Sequence, residues 1–273
     1  MHSPLSCTRT PASSFSTEML INACYVTNTG KVRRNNEDSL LINETLVTGN
    51  MREVETVRSK GDRLVYMVAD GMGGHAKGEV ASSGVLTVFK DGYKDLRTAE
   101  QVGDLVLLAK ESLDRMVMKD GSIFGLGTTV AGIFFSDSKA FLLNCGDSRV
   151  YESNGSVRKI TRDDSLVQEL VDSGTITEEE MRTHPQKNII TSAIIGDLKT
   201  GPPGYSLEKM TTVKGQKFLL CSDGLWESLG CRDMAECLHH KGIREGAECL
   251  FRKTLEAGAA DNVSLILLEV AEV

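Results

Sequence analysis

Leu64-Val65-Tyr66-Met67-Val68-Ala69-Asp70-Gly71-Met72-Gly73-Gly74 is an apolar run that ends on a carboxylate and a cluster of glycines. An apolar run bounded by charge and glycine predicts a buried strand, and the glycines allow a sharp turn after it. The same grammar recurs along the chain. Asp147 follows Ala140–Gly146 (AFLLNCG), Asp223 follows Phe218–Ser222 (FLLCS) and precedes Gly224, and Asp261 stands with Asn262 before Val263–Leu268 (VSLILL). Each places an aspartate at the rim of a buried strand. Taken singly, Asp-Gly after a strand is also ordinary turn chemistry. Gathered at one sheet edge, such carboxylates would repel one another, lose solvent, and each need a cation or a proton. Oxygen donors without His or Cys partners suit Mg2+ or Mn2+.

On the N-terminal side of this run, Ala23–Thr27 and Ser39–Ile42 predict short strands, while the polar stretch Asn50–Arg63 predicts a loop or insertion. On the C-terminal side, Val80, Ala81, Gly84, Val85, Val88 and Phe89 share one helical face. A second helix is expected over about 99–118, with Val102, Leu105, Val106, Ala109, Leu113, Met116 and Val117 inward. Gly127–Phe135 and Ala140–Cys145 read as paired strands, and Asn154-Gly155 marks a hairpin within Arg149–Ile160. Ser165–Asp172 reads as a short helix, and Thr177–Glu180 is a capping box opening another. Lys217–Cys221, helices at about 232–240 and 244–257, and a strand over Asn262–Val270 complete the order. Hairpins and helices grouped in blocks indicate an α+β class with antiparallel sheets. One domain is expected over 19–273. The Ser/Thr/Pro-rich residues 1–18 read as a tail, as the product of a misassigned start with Met19 the initiator, or as a transit peptide.

The 273-residue chain is 40% apolar and 25% charged, with a net charge of −7 and a pI of about 5.4. That composition is globular. It lacks both the basic face of a nucleic-acid binder and an apolar stretch of roughly 18 residues for a membrane helix. The seven cysteines contain no CxxC, and Cys145 and Cys221 read as buried thiols, so a reducing, cytoplasmic setting is expected. No phosphate-loop, HExxH or GxSxG motif occurs. Cys145 and Arg149 do not make a thiolate cradle, because Asp147 lies between them. His239-His240 sits on a surface helix face. Gly71–Ala76 formally matches a dinucleotide fingerprint, with Asp91 about 20 residues on. Against it, Asp70 would set a negative charge beside the pyrophosphate, and the βαβ alternation is missing.

Seven blocks carry a family resemblance: Gly30–Ser39 (GKVRRNNEDS), Val68–Ser82 (VADGMGGHAKGEVAS), Gly127–Gly132 (GTTVAG), Asn144–Tyr151 (NCGDSRVY), Asn188–Gly196 (NIITSAIIG), Leu219–Glu227 (LLCSDGLWE) and Asp261–Leu268. In this order they resemble the metal-dependent Ser/Thr protein phosphatases of type 2C, the PPM family. DGMGGH, where many eukaryotic members have DGHGG, is similar to the bacterial branch. The resemblance implies a four-layer α-β-β-α sandwich, two antiparallel sheets flanked by helices, with two Mn2+ or Mg2+ ions at one end. Asp70 would bridge the ions, the Gly71 carbonyl would help hold one, and Asp223 and Asp261 would complete the other. Glu37 and Asp38 would act through water or by supporting the direct ligands from behind, and Asp147 would pair with Asp223 at a third, weaker ion. Arg33 would bind the phosphoryl group, with Arg34 a solvated neighbour.

Two cations about 3.5–4 Å apart acidify a bridging water, and the hydroxide attacks phosphorus in line. Met72 stands where the eukaryotic branch has a proposed acid, which leaves a water or His75 to protonate the leaving group. Residues 165–196 correspond to the family's mobile flap, bordering the cleft and biasing substrate choice. The implied partners are phosphorylated proteins and an opposing Ser/Thr kinase, and the implied catalytic unit is a cytoplasmic monomer. The alternative, a pseudophosphatase serving as a binding module, would be favoured by a missing carboxylate, yet all of Asp70, Asp147, Asp223 and Asp261 are present.

Overall fold

Arg63–Met72 forms a strand buried on both faces. Val65, Met67 and Ala69 pack into a helical layer, while Leu64, Tyr66 and Val68 pack against a second sheet. This double burial is why the run is continuously apolar and does not alternate. The computed structural model describes residues 18–273 apart from 74–76, 137–138, 155 and 241.

Within these residues the strands are β1 (Met19–Asn28), β2 (Asp38–Ile42), β3 (Thr45–Thr48), β4 (Glu55–Gly61), β5 (Arg63–Met72), β6 (Leu126–Thr128), β7 (Val130–Ser136), β8 (Lys139–Cys145), β9 (Arg149–Ser153), β10 (Val157–Lys159), β11 (Ile194–Gly196), β12 (Ser206–Thr211), β13 (Lys217–Cys221) and β14 (Val263–Glu272). The helices are α1 (Gly78–Gly92), α2 (Ala99–Lys119), α3 (Leu166–Asp172), α4 (Glu178–Met181), α5 (Asp223–Trp226), α6 (Cys231–Leu238) and α7 (Ile243–Glu256). One sheet runs β10-β9-β13-β14-β1-β4; the other runs β11-β6-β5-β7-β8-β12, with β2 and β3 added beside β5. The registered pairs are antiparallel.

Three apolar layers hold the sandwich. Ile21, Leu40, Tyr66, Leu220 and Ile266 fill the space between the sheets. Val85 and Phe89 of α1, with Val106 and Leu113 of α2, cover one outer face. Trp226, Met234, Leu250 and Phe251 cover the other. The expected α-β-β-α sandwich is the observed fold, and its antiparallel sheets leave no βαβ unit for the dinucleotide reading of Gly71–Ala76. Among the described residues no helix is long and apolar enough to cross a membrane.

Three expectations need correction. Asn50–Arg63 is not loop throughout: residues 55–61 form β4, which pairs with β1 along Met19↔Gly61 to Tyr25↔Glu55. An edge strand keeps one face and one hydrogen-bonding edge in water, so Glu55, Arg58 and Lys60 gave it a polar composition. Gly127–Phe135 is two strands, broken at Thr129, whose N–H turns to the Asp70 carbonyl at 2.9 Å. The expectation of a reducing setting meets a counter-observation: Cys237 of α6 and Cys249 of α7 are disulfide-bonded, with Cα atoms 5.4 Å apart. Helix packing creates that pair, and the linear spacing does not signal it. Cys145 and Cys221 are buried thiols as expected.

Candidate active site

Five aspartates reach one end of the sandwich from separate strand ends. Asp38 opens β2 and lies directly opposite Asp70, near the end of β5. Asp147 sits in the turn from β8 to β9, Asp223 starts α5 immediately after β13, and Asp261 precedes β14. Asp70, Asp147, Asp223 and Asp261 line an open cleft of about 320 Å³ with Glu37, Arg33, Gly71, Met72, Asn188 and Ile190. Asp38 is buried at its base, where its Oδ2 accepts the Ser222 hydroxyl at 2.8 Å.

Backbone packing makes this convergence possible. A Cβ on Gly71 would lie 2.2 Å from the Gly78 carbonyl oxygen and 2.6 Å from that of Glu37. A Cβ on Gly224 would lie 2.1 Å from the Asn262 carbonyl oxygen. Contacts this short are excluded for any side chain, so glycine lets β5 meet α1 and lets α5 meet the start of β14. The Asp70 carbonyl is held by the Thr128 hydroxyl (2.8 Å) and the Thr129 N–H (2.9 Å). Asn262 ties down the segment carrying Arg33: its Nδ2 donates to the Thr29 and Asn35 carbonyls (3.0 and 2.9 Å), and its Oδ1 accepts the Glu37 N–H (2.9 Å). The Arg33 guanidinium ion-pairs with Asp261 at 2.5 Å.

Asp147 is supported from below. Trp226 donates its indole N–H to the Asp147 carbonyl at 3.0 Å. Over the Trp226 ring, 3.5 Å from its centroid, lies the Arg149 guanidinium, which is buried and paired with Asp163. These supports escaped the sequence reading. The dipeptides Ser222-Asp223 and Asp261-Asn262 and the Thr128-Thr129 pair carried the signal, since each sets a hydrogen-bonding side chain beside a site position.

The electrostatics favour cations. Burial, then Asp38, Asp223 and Asp147, push the Asp70 carboxyl well above the usual range. Burial, then Asp147 and Asp261, do the same to Asp223. Burial raises Asp38 to about 6 against hydrogen bonds from Ser264 and Ser222, and burial with Asp163 raises Asp147 to about 7. Burial and Glu79 raise Glu37. Burial works against the charge on Arg33, but Asp261, Asp223 and Asp70 outweigh it and raise its pKa.

The donor set fits a hard divalent ion. It is all oxygen, and the buried Asp38 Oδ1 and Asp223 Oδ1 have no hydrogen-bond partner among the described residues. Among the described residues no three His, Cys, Asp or Glu side chains already close on one point. An ion here would take one or two carboxylates and keep water, as Mg2+ does. Of the other residues singled out in the sequence, Arg34 is exposed, and His75 lies outside the described residues.

Sandwich and acidic cleft are those of the protein phosphatase 2C class. The chain belongs to the protein phosphatase 2C family, whose profile matches residues 53–257. It is 33% identical over 255 residues to the serine/threonine protein phosphatase PstP of Mycobacterium tuberculosis, covering 89% of this chain and 44% of that protein. The chain thus spans about half the length of that relative. It is 30% identical over 258 residues to the serine/threonine phosphatase Stp of Listeria welshimeri, covering 91% of this chain and 96% of that one. A crystal structure of the catalytic domain of PstP in complex with two manganese ions superposes with a TM-score of 0.76 at 30% identity, covering 93% of this chain and 100% of that one.

Proposed function

We propose that this chain hydrolyses phosphoserine and phosphothreonine on proteins, using two Mn2+ or Mg2+ ions held by Asp70, Gly71, Asp223 and Asp261. Glu37 and Asp38 would act on the ions through water. The observation that carries this reading is the convergence of four aspartates from separate strand ends on one cleft, with Asp38 buried opposite Asp70 and two buried carboxylate oxygens left without partners among the described residues. Bound ions supply Lewis acidity, making a water nucleophilic and neutralising phosphoryl charge.

The chain's own side chains do the rest. Arg33 has 54% of its side chain exposed at the cleft rim. From there its planar guanidinium turns from Asp261 to phosphoryl oxygens, whose equatorial charge grows in the transition state. Asn262 fixes the segment from which Arg33 reaches. Ser222 and the Asp38–Asp70 pairing set the depth of the carboxylates. Met72 holds no proton to donate, so the leaving alkoxide takes its proton from water or from His75. The same reading includes a third, weaker ion at Asp147 and Asp223, a monomeric unit in the cytoplasm, and a Ser/Thr kinase as the opposing enzyme.

The test is phosphate release from a phosphothreonine peptide with Mn2+, with EDTA, and for Asp223→Asn. Release that depends on Mn2+ and is lost in the variant is expected. A folded, Mn2+-supplied protein that releases none would instead be a binding module.

A further inference from the structure

A second recess lies beside the cleft. Met72 and Ile190 line both spaces, and the recess, about 230 Å³, is closed by Ala193, Ile195, Pro202 and Pro203. Its outer wall, residues 197–204, is anchored at both ends. At one end Lys110 of α2, only 6% exposed, bonds Asp114 (2.8 and 2.9 Å) and Asp197 (3.2 Å). Asp197 also accepts the N–H groups of Lys199 and Thr200 (3.1 and 3.0 Å). At the other end the Ser192 hydroxyl donates to the Gly204 carbonyl at 2.8 Å.

A desolvated ion pair returns little net stability, and its usual return is fixed geometry. Here the geometry it fixes is the wall of the recess. Two consecutive prolines stiffen that wall further, because each ring locks φ. Thr191, Ser192 and Thr200 also line the recess, with the Ser192 and Thr200 hydroxyls spent on Gly204 and Asp197. Lys110 is satisfied by its two carboxylates, so what remains on offer is mainly the apolar surface of Met72, Ile190, Ala193, Ile195, Pro202 and Pro203.

We propose that this recess is the subsite for a bulky apolar side chain flanking the phosphorylated residue of the protein substrate, an inference that rests on the phosphatase reading above. The occupant is the substrate chain itself because the recess and the cleft share the Met72–Ile190 wall. An extended peptide advances about 3.3–3.6 Å per residue, so a position close to the phosphoresidue reaches it. Ile195 and Pro203 set the preference by contact. Lys110 and Asp197 are positioning residues, acting through the wall.

The test uses phosphothreonine peptides in which each flanking position carries Leu or Asp in turn. Para-nitrophenyl phosphate serves as a substrate too small to fill the recess. Filling or emptying an apolar pocket changes kcat/KM by roughly 10–200-fold, so at one flanking position at least the Leu peptide should exceed the Asp peptide by about tenfold or more. Pro203→Asp, on the exposed loop, and Ile195→Ala should each cut that gap below about threefold, with para-nitrophenyl phosphate turnover unchanged.

Equal use of Leu and Asp at every position overturns the proposal and leaves the phosphatase reading standing. A gap that survives both substitutions overturns it too. Self-association abolished by Pro203→Asp would assign the recess to a second copy, with the same consequence. Failure of the folded, Mn2+-supplied protein to hydrolyse para-nitrophenyl phosphate overturns the phosphatase reading and this proposal with it.

Discussion

Asp163→Asn removes the counter-charge of a buried arginine while keeping the volume of the side chain. The Asp163 carboxylate takes three bonds from Arg149: Nε at 3.1 and 3.0 Å, and Nη2 at 2.5 Å. Lys159 adds a fourth at 3.4 Å. The Arg149 and Asp163 side chains are 6% and 1% exposed, so solvent cannot replace what is lost. Breaking such a pair from one side costs about 3–5 kcal/mol, because an unpaired charge stays buried. Asparagine keeps one acceptor oxygen, and losing Asp163 relieves its repulsion of Asp147, so the lower end, about 3 kcal/mol, applies. In a domain this large each kcal/mol moves Tm by about 2–4 °C, so thermal unfolding followed by circular dichroism should show a drop of about 6–12 °C. Arg149→Met with Asp163→Leu should recover much of it, since apolar replacement of both partners removes the desolvated charges together. A single-variant Tm within about 2 °C of the parent would refute the reasoning, for that is the effect of an exposed pair of up to 1 kcal/mol.

Gly224→Ala should cost at least the roughly 1–3 kcal/mol of an overpacked core and abolish phosphate release, since backbone at Asn262 must move to admit the methyl; wild-type stability in urea would count against the contact. Asn262→Ala strips three hydrogen bonds from the Arg33 segment. It should lower kcat/KM by about tenfold or more while costing about 1–3 kcal/mol of stability; an unchanged kcat/KM would show that the segment is held by other means. In EDTA, Asp147 contributes a pH dependence. Burial and Asp163 raise its folded pKa to about 7, so between its ordinary value near 3.9 and about 7 the folded chain binds more protons than the unfolded one. Stability from this group is therefore complete below about pH 4 and falls as pH rises to 7. The Tm advantage of Asp147→Asn over the parent should widen across that window, and a constant advantage from pH 4 to 8 would contradict the burial of this carboxyl.

The two buried faces of β5 were legible because a doubly covered strand writes itself as an unbroken apolar run, and the carboxylates stood out because each ended such a run. Helices α2 and α4 announced themselves through period and capping: Thr177 and Glu180 exchange the reciprocal bonds their spacing predicts. Strand β4 was hidden for the opposite reason. An edge with one wet face needs no apolar pattern, and its membership in the sheet is decided by β1, whose paired residues lie 30 to 42 positions earlier. The disulfide was hidden because Cys237 and Cys249 sit on two different helices, α6 and α7, whose packing and not the linear spacing brings them together. Asn262 was visible as a letter in the resemblance and silent as a function, since its three partners come from a segment more than 220 residues upstream.

That contrast says how the site is held. The carboxylates are fixed by the sandwich itself: each hangs from a strand end, and shifting one means shifting a sheet whose two faces are packed. Arg33 is fixed differently. Its segment leaves β1 and returns to β2 over the rim of the cleft, anchored by side-chain hydrogen bonds from Asn262 and Asn36 in place of core packing. On the proposed reading, ligand geometry for the ions would thus depend on global stability, and phosphoryl contact on a few local bonds. Substitutions in the core should therefore reduce ion affinity and stability together. Substitutions at Asn262 or Asn36 should instead reduce kcat/KM while leaving ion affinity largely intact. The two sets of variants separate the metal-holding part of the site from the phosphate-holding part, because different physics keeps each in place.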